Sequence, residues 1–214
     1  MPRPPFDYSL YLVTDQGLCR RGRLVDVIAQ AIDGGVSVVQ LREKQLATRD
    51  FVRLARQVRE LIKPRNVPLF INDRVDVALA AEADGIHVGQ EDMEVMDVRK
   101  LVGDTMAVGL SVNTEADVLE ANQLPVDYLG LGPIFPTSTK ADAKTPLGCQ
   151  ELRRLRSLTE HPLVAIGSLT MDNAAEVVRA GADGLAVVSA ICATEDPRAA
   201  AAELKRCIEA ARTS

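Results

Sequence analysis

The chain has 214 residues, a net charge of −5 and an apolar content of 47%, with few aromatic residues. That length fits one domain with a sizeable core. The acidic balance argues against a nucleic-acid surface, which needs a basic patch, and no run reaches the ~18–20 apolar residues of a membrane span.

Residues 1–7 form a short N-terminal extension without the apolar centre of a signal peptide. From there, strand-like runs alternate with helical patterns. Strands are predicted near 9–14, 36–41, 68–71, 85–88, 106–110, 126–131, 163–166 and 184–188. Helices are predicted near 23–33, 50–62, 73–82, 94–102, 114–121, 148–157, 171–180 and 197–211. Thr48 or Asp50 is expected to cap the second helix, and Thr114 and Thr170 to cap two later ones. The tripeptide Ala-Asp-Gly recurs at Ala83–Gly85 and Ala182–Gly184, each time between a helix and a strand. Eight successive strand–helix units predict a single (β/α)8 barrel domain over 1–214. An open doubly wound sheet is the alternative, but no GxGxxG follows the first strand, and polar groups follow nearly every strand.

Those polar groups are where chemistry is expected. Gln40, Arg42 and Lys44 alternate along QLREK, so a strand would point all three at the barrel mouth and turn Leu41 and Glu43 away. An amide, a guanidinium and an ammonium on one face suit a polyanion. Asn72 and Asp73 follow PLFI, and Asp92 closes GQED. Two carboxylates beside a pyrophosphate site suggest Mg²⁺. Singly, Asp73 reads as a helix cap and Asp92 as a turn residue. Ser111 ends GLS, where it is placed to bind a phosphate oxygen or a ring nitrogen. GPIFPTSTK, residues 132–140, offers Thr137, Ser138, Thr139 and Lys140 for an anion. Gly167 and Ser168, then Val188 and Ser189, follow the last two strands, where (β/α)8 enzymes often build a phosphate cradle from backbone N–H groups. His87, inside GIHVG, reads as a barrel-lining histidine with a satisfied hydrogen bond. Cys19, Cys149, Cys192 and Cys207 show no metal-ligand spacing and read as reduced thiols of a cytoplasmic protein. No nucleophile–base arrangement suggests itself.

QLREK, IND, DGIHVGQED, GLSVNT, GPIFPTSTKADAKTPLG, AIGS and VVSAI occur in an order that resembles the thiamine phosphate synthase family over almost the whole chain. The resemblance implies a (β/α)8 barrel that joins hydroxymethylpyrimidine pyrophosphate to hydroxyethylthiazole phosphate and releases pyrophosphate with Mg²⁺. It implies that Gln40, Leu41, Arg42, Glu43, Lys44, Asn72, Ser111 and Lys140 bind the pyrimidine pyrophosphate. Arg42, Lys44, Lys140 and Ser111 would serve the chemistry, and Asp73 and Asp92 would hold Mg²⁺. Thr137, Ser138, Thr139, Gly167, Val188 and Ser189 would bind the thiazole phosphate. Two positions depart from the family pattern: Ser168 stands where a glycine is common, and Asn113 where a histidine is frequent. The implied partners are small molecules, with no nucleic acid and no membrane; a homo-oligomer is compatible with the sequence. The rivals are a thiazole tautomerase-like paralogue and a non-catalytic regulator that binds thiamine precursors. The retained pyrophosphate and metal residues argue against both.

Overall fold

The computed structural model describes residues 6–19, 24–137 and 144–213. Eight parallel strands close into a barrel in sequence order: β1 (Leu10–Val13), β2 (Val38–Leu41), β3 (Leu69–Asn72), β4 (Gly85–Val88), β5 (Ala107–Val112), β6 (Tyr128–Leu131), β7 (Leu163–Ile166) and β8 (Gly184–Val187). The seam is closed by β1 on β8, with Tyr11 opposite Ala186. The helices are α1 (Leu24–Asp33), α2 (Thr48–Ile62), α3 (Val75–Ala80), α4 (Val95–Val102), α5 (Glu115–Ala121), α6 (Gly148–Arg156), α7 (Met171–Arg179), α8 (Ser189–Cys192) and α9 (Pro197–Arg212). All eight predicted strands and helices are present. The short α8 was not expected; four residues are too few to show a helical period. The four cysteines are free thiols.

Local chemistry explains most of the element ends. Thr114 opens α5 by accepting the Asp117 N–H, and Asp117 accepts the Thr114 N–H in return. Asn173 accepts the Thr170 N–H at the start of α7 in the same way. The expected cap on α2 is absent: the helix begins after Ala47, with Thr48 and Asp50 already inside its first turn. Asp73 is no cap either, because α3 begins only after Arg74.

The strands are buried on both faces, so they read as nearly continuous apolar runs. Leu10 and Leu12 pack outward against the helices; Tyr11 and Val13 point into the barrel. The interior is filled by large side chains set against glycines. A Cβ at Gly85 would lie 2.2 Å from the Phe70 ring, and one at Gly109 would lie 2.2 Å from the Tyr128 ring. At the end where the strands begin, Phe6 stacks edge-on to Phe70 and Tyr8 packs on Tyr128 with ring centroids 4.7 Å apart.

The recurring Ala-Asp-Gly has a structural use. The Asp84 carboxylate accepts the Leu69 N–H, and the Asp183 carboxylate accepts the Leu163 N–H. Asp127 does the same for Val108. Each holds a first or second N–H of the preceding strand, fixing register at the end opposite the polar loops. Ser37 does this for Leu10 through its hydroxyl.

Candidate active site

The polar groups predicted from the sequence follow the C-terminal ends of β2 to β8, the end that carries (β/α)8 active sites. Gln40 points inward and is buried, its amide nitrogen donating to the Tyr11 hydroxyl at 2.9 Å. The expected alternation stops one residue later. Strand β2 ends at Leu41, and residues 42–44 run as an irregular loop. Arg42 and Lys44 therefore extend from a loop, not from one strand face. The Arg42 N–H is anchored on the Thr14 hydroxyl at 3.1 Å, and its guanidinium has no ion-pair partner among the described residues. The Leu41 side chain is fully buried between strand and helices, so only its backbone is left to serve a ligand. Glu43 does not simply face water: one carboxylate oxygen is buried without a partner. Burial first, and then Asp15, push its pKa up.

Lys44 reaches across to Asp73 and donates to its carboxylate. Asp73 holds a left-handed backbone, φ 61°, which costs a non-glycine residue about 1–2 kcal/mol. Strain of this kind collects at functional sites. The Asp92 carboxylate accepts the Gly89 N–H at 2.7 Å. Its pKa is raised, first by burial and then, against the lowering effect of that N–H, by the neighbouring Asp73 carboxyl. Two carboxyl groups side by side, with one lysine on them, form a place that favours a further cation. The donor set fits Mg²⁺, which takes one or two carboxylates and completes its shell with phosphate oxygens and water. Among the described residues no group of three or more acidic, histidine or cysteine ligands occurs. Asn72 ends β3 half-buried beside His87 of β4. Ser111 is half-buried on β5, its hydroxyl 2.9 Å from His87 Nε2 and its carbonyl accepting from Gln90.

The other half of the mouth is made of close backbone approaches. The Ile134 N–H donates to the Ile166 carbonyl at 2.8 Å, and Phe135 N–H to Gly167. A Cβ on Gly167 would lie 2.6 Å from Pro133, and one on Gly132 would lie 2.3 Å from the Ile166 carbonyl. Only glycine fits at these two places. Leu147 and Gly148 donate to the Pro133 and Ile134 carbonyls and close the base of the loop. Asn113 donates to the Gly132 carbonyl at 3.0 Å, so this departure from the family pattern supports the loop base. The other departure, Ser168, also carries a positive φ, 48°, and its hydroxyl donates to the Pro136 carbonyl at 2.6 Å. Val188 and exposed Ser189 open α8 beside the end of β7. Thr137 belongs to the same loop; Ser138, Thr139 and Lys140 lie outside the described residues.

Comparison with known proteins shows the family. The family model described as thiamine monophosphate synthase matches residues 10–191. The chain belongs to this family. A thiamine-phosphate synthase of Solidesulfovibrio magneticus is 55% identical over 98% of this chain and 100% of that protein. Another, of Albidiferax ferrireducens, is 54% identical over 94% of this chain and 92% of its own length. The solved thiamine phosphate pyrophosphorylase of Pyrococcus furiosus superposes with a TM-score of 0.89 at 36% identity, covering 96% of this chain and 97% of that one. A 3-hexulose-6-phosphate synthase, at 16% identity and a TM-score of 0.69, shares the barrel alone.

Sequence reading missed two members of the interior. Tyr11 bonds to Gln40 and Tyr128 to His87, and the two tyrosines bond to each other. The signal was available in principle: a tyrosine at an inward strand position needs a partner for its hydroxyl.

Proposed function

We propose that this mouth joins hydroxymethylpyrimidine pyrophosphate to hydroxyethylthiazole phosphate by magnesium-assisted departure of pyrophosphate. The chain is a transferase that forms thiamine phosphate, in keeping with its family and with relatives that match it over nearly their whole length. The observation that supports the mechanism is that two separate groups of the expected residues stand at one barrel end, read here as two anion sites. Lys44, Asp73 and Asp92 group on the β2–β4 side. Gly167, Ser168, Val188 and Ser189 group on the β7–β8 side.

Arg42 and Lys44 bind the pyrophosphate, the guanidinium as a planar fork and the ammonium as a point charge. Lys140 joins them by family resemblance. Asp73 and Asp92 would hold magnesium, which would supply charge neutralisation for the leaving group. The electron-rich pyrimidine bears the positive charge left on its methylene carbon, and the thiazole nitrogen attacks there. Small-residue turns after β7 and β8 hold the monophosphate of the second substrate within reach, so positioning and charge stabilisation carry the rate. This chemistry requires no protein base or nucleophile. Free cysteines support a cytoplasmic setting.

Incubating the chain with both precursors and Mg²⁺, and with each alone, tests the reading. Thiamine phosphate and pyrophosphate are expected only from the pair. Isomerisation of a thiazole precursor without coupling would instead identify a tautomerase.

A further inference from the structure

Five side chains from five strands form one unbroken hydrogen-bonded line through the barrel interior. Gln40 of β2 donates from its amide nitrogen to the Tyr11 hydroxyl of β1 at 2.9 Å. The Tyr11 and Tyr128 hydroxyls are 2.8 Å apart. Tyr128 of β6 is 2.8 Å from His87 Nδ1, and His87 Nε2 of β4 is 2.9 Å from the Ser111 hydroxyl of β5. Both ends of the line are residues placed in the pyrimidine pocket. The three inner members are not.

With the buried Tyr11 and Tyr128 protons both kept in hydrogen bonds of the line, proton counting leaves it two self-consistent states. Each hydroxyl has one proton, and a neutral imidazole offers one donor and one acceptor. With the Gln40 amide nitrogen as donor, Tyr128 is the one acceptor the line leaves for the buried Tyr11 proton, so that proton goes to Tyr128. The Tyr128 proton then goes to His87 Nδ1, which leaves the ring proton on Nε2 and directs it to the Ser111 oxygen. The Ser111 proton is thereby turned away from His87, towards the mouth. At the other end, the Gln40 amide oxygen has no partner among the described residues. While both phenol protons stay in the line, reversing any one bond reverses them all. Burial holds both phenols well above their usual pKa, Tyr11 by desolvation and Tyr128 by desolvation and then Tyr11, so each keeps the proton that the line needs. The line has been given room: a Cβ at Gly130 would lie 2.9 Å from the His87 ring, and one at Gly109 would meet Tyr128.

We propose that Tyr11, Tyr128 and His87 are positioning residues that fix the hydrogen-bond polarity of the pocket, presenting an acceptor at Gln40 and a donor at Ser111. The ligand class this polarity selects is a heteroaromatic ring carrying an exocyclic amine, which donates to Gln40, beside a ring nitrogen, which accepts from Ser111. That part rests on the proposed pyrimidine pyrophosphate reading; the polarity of the line itself does not. Buried networks of this kind are costly when half satisfied, so the bonds act as a unit.

The chain has two histidines, His87 and His161, which makes ¹⁵N-histidine NMR a direct readout of the ring proton. In the substrate-free protein His87 is expected as the Nε2–H tautomer. An Nδ1–H or doubly protonated ring would overturn the proposal. Gln40→Glu supplies a carboxylate that only accepts, so it should reverse the line and move the His87 proton to Nδ1; an unchanged tautomer would overturn the coupling. Tyr128→Phe keeps the ring but cuts the line, so Gln40→Glu should then leave the tautomer where Tyr128→Phe put it. A Gln40→Glu effect that survives the cut overturns the relay.

A kinetic arm separates positioning from mere packing. Tyr128→Phe should raise KM for the pyrimidine pyrophosphate about fivefold, the worth of one hydrogen bond, with KM for the thiazole phosphate unchanged. Equal changes in both would reduce Tyr128 to a packing role. If coupling activity is absent while the Nε2–H tautomer is found, the ligand assignment falls and the relay stands.

Discussion

Lys44 donates to the Asp73 carboxylate and so ties the loop after β2 to the end of β3. The lysine is half exposed, and an ion pair of that kind is worth only ~0.2–1 kcal/mol. It occupies one of the two carboxylates assigned to magnesium without holding it firmly. Lys44→Met should therefore tighten Mg²⁺ binding to the substrate-free protein about two- to fivefold. Turnover should fall at least about tenfold, because the leaving group loses a cation. Titration calorimetry with MgCl₂ and a steady-state assay check both; weaker Mg²⁺ binding would contradict the competition.

Arg42→Ala and Asp92→Ala remove groups from one side of the mouth only. Each should lower kcat/KM by about 10²–10³-fold, while the dissociation constant of the thiazole phosphate stays within about twofold of the parent, consistent with independent sites. Equal loss of thiazole phosphate binding in a folded variant would show that the mouth is not divided in two.

Removing magnesium should stop synthesis. With excess EDTA the rate is expected to fall to background and to return on adding Mg²⁺, while the circular-dichroism melting curve is unchanged, since no caging set of ligands occurs among the described residues. An undiminished rate in chelator would eliminate the metal role given to Asp73 and Asp92.

Glu43 provides a pH signature. Its pKa in the folded chain is raised, by burial and then by Asp15, and one of its oxygens is buried without a partner. A carboxyl with a raised folded pKa favours the folded chain when protonated. Its stabilising effect is therefore fully present below the unfolded value and is lost as pH rises through the folded one. Glu43→Gln should raise the melting temperature at neutral pH by on the order of 1–3 °C, and the difference should shrink towards about pH 4. A constant difference across that range would exclude the ionisation as its cause.

Ser168 balances two terms of similar size. Its left-handed backbone costs about 1–2 kcal/mol, and its hydrogen bond to Pro136 returns about 1 kcal/mol. Ser168→Gly removes both and should melt within about 2 °C of the parent. Ser168→Ala keeps the strain and loses the bond, so it should melt about 2–4 °C lower. Thermal unfolding of the two variants reads the difference directly; an alanine variant as stable as the parent would show that the hydroxyl contributes nothing.

The barrel was legible because its strands need apolar residues on both faces and its mouth needs polar ones just beyond them. QLREK, IND and GQED mark that transition in the sequence, and Lys44, Asp73 and Asp92 do meet in space. What sequence could not show was where a strand stops. The period-two argument for Arg42 and Lys44 assumed two or three more extended residues than β2 has. Nor could it show side chains that meet from distant strands: Tyr11 and Tyr128 are 117 residues apart and share one hydrogen bond. The left-handed backbones at Asp73 and Ser168 were equally hidden, since neither residue type announces one.

Phe6 and Tyr8 stop the barrel at the end where the strands begin. Behind the polar mouth the interior is packed with side chains, so the opposite end gives a ligand no way through. Two reactants arrive and two products depart by the same passage, with no through-flow to sweep it clear. Each turnover has to release its products through the mouth that admitted the substrates.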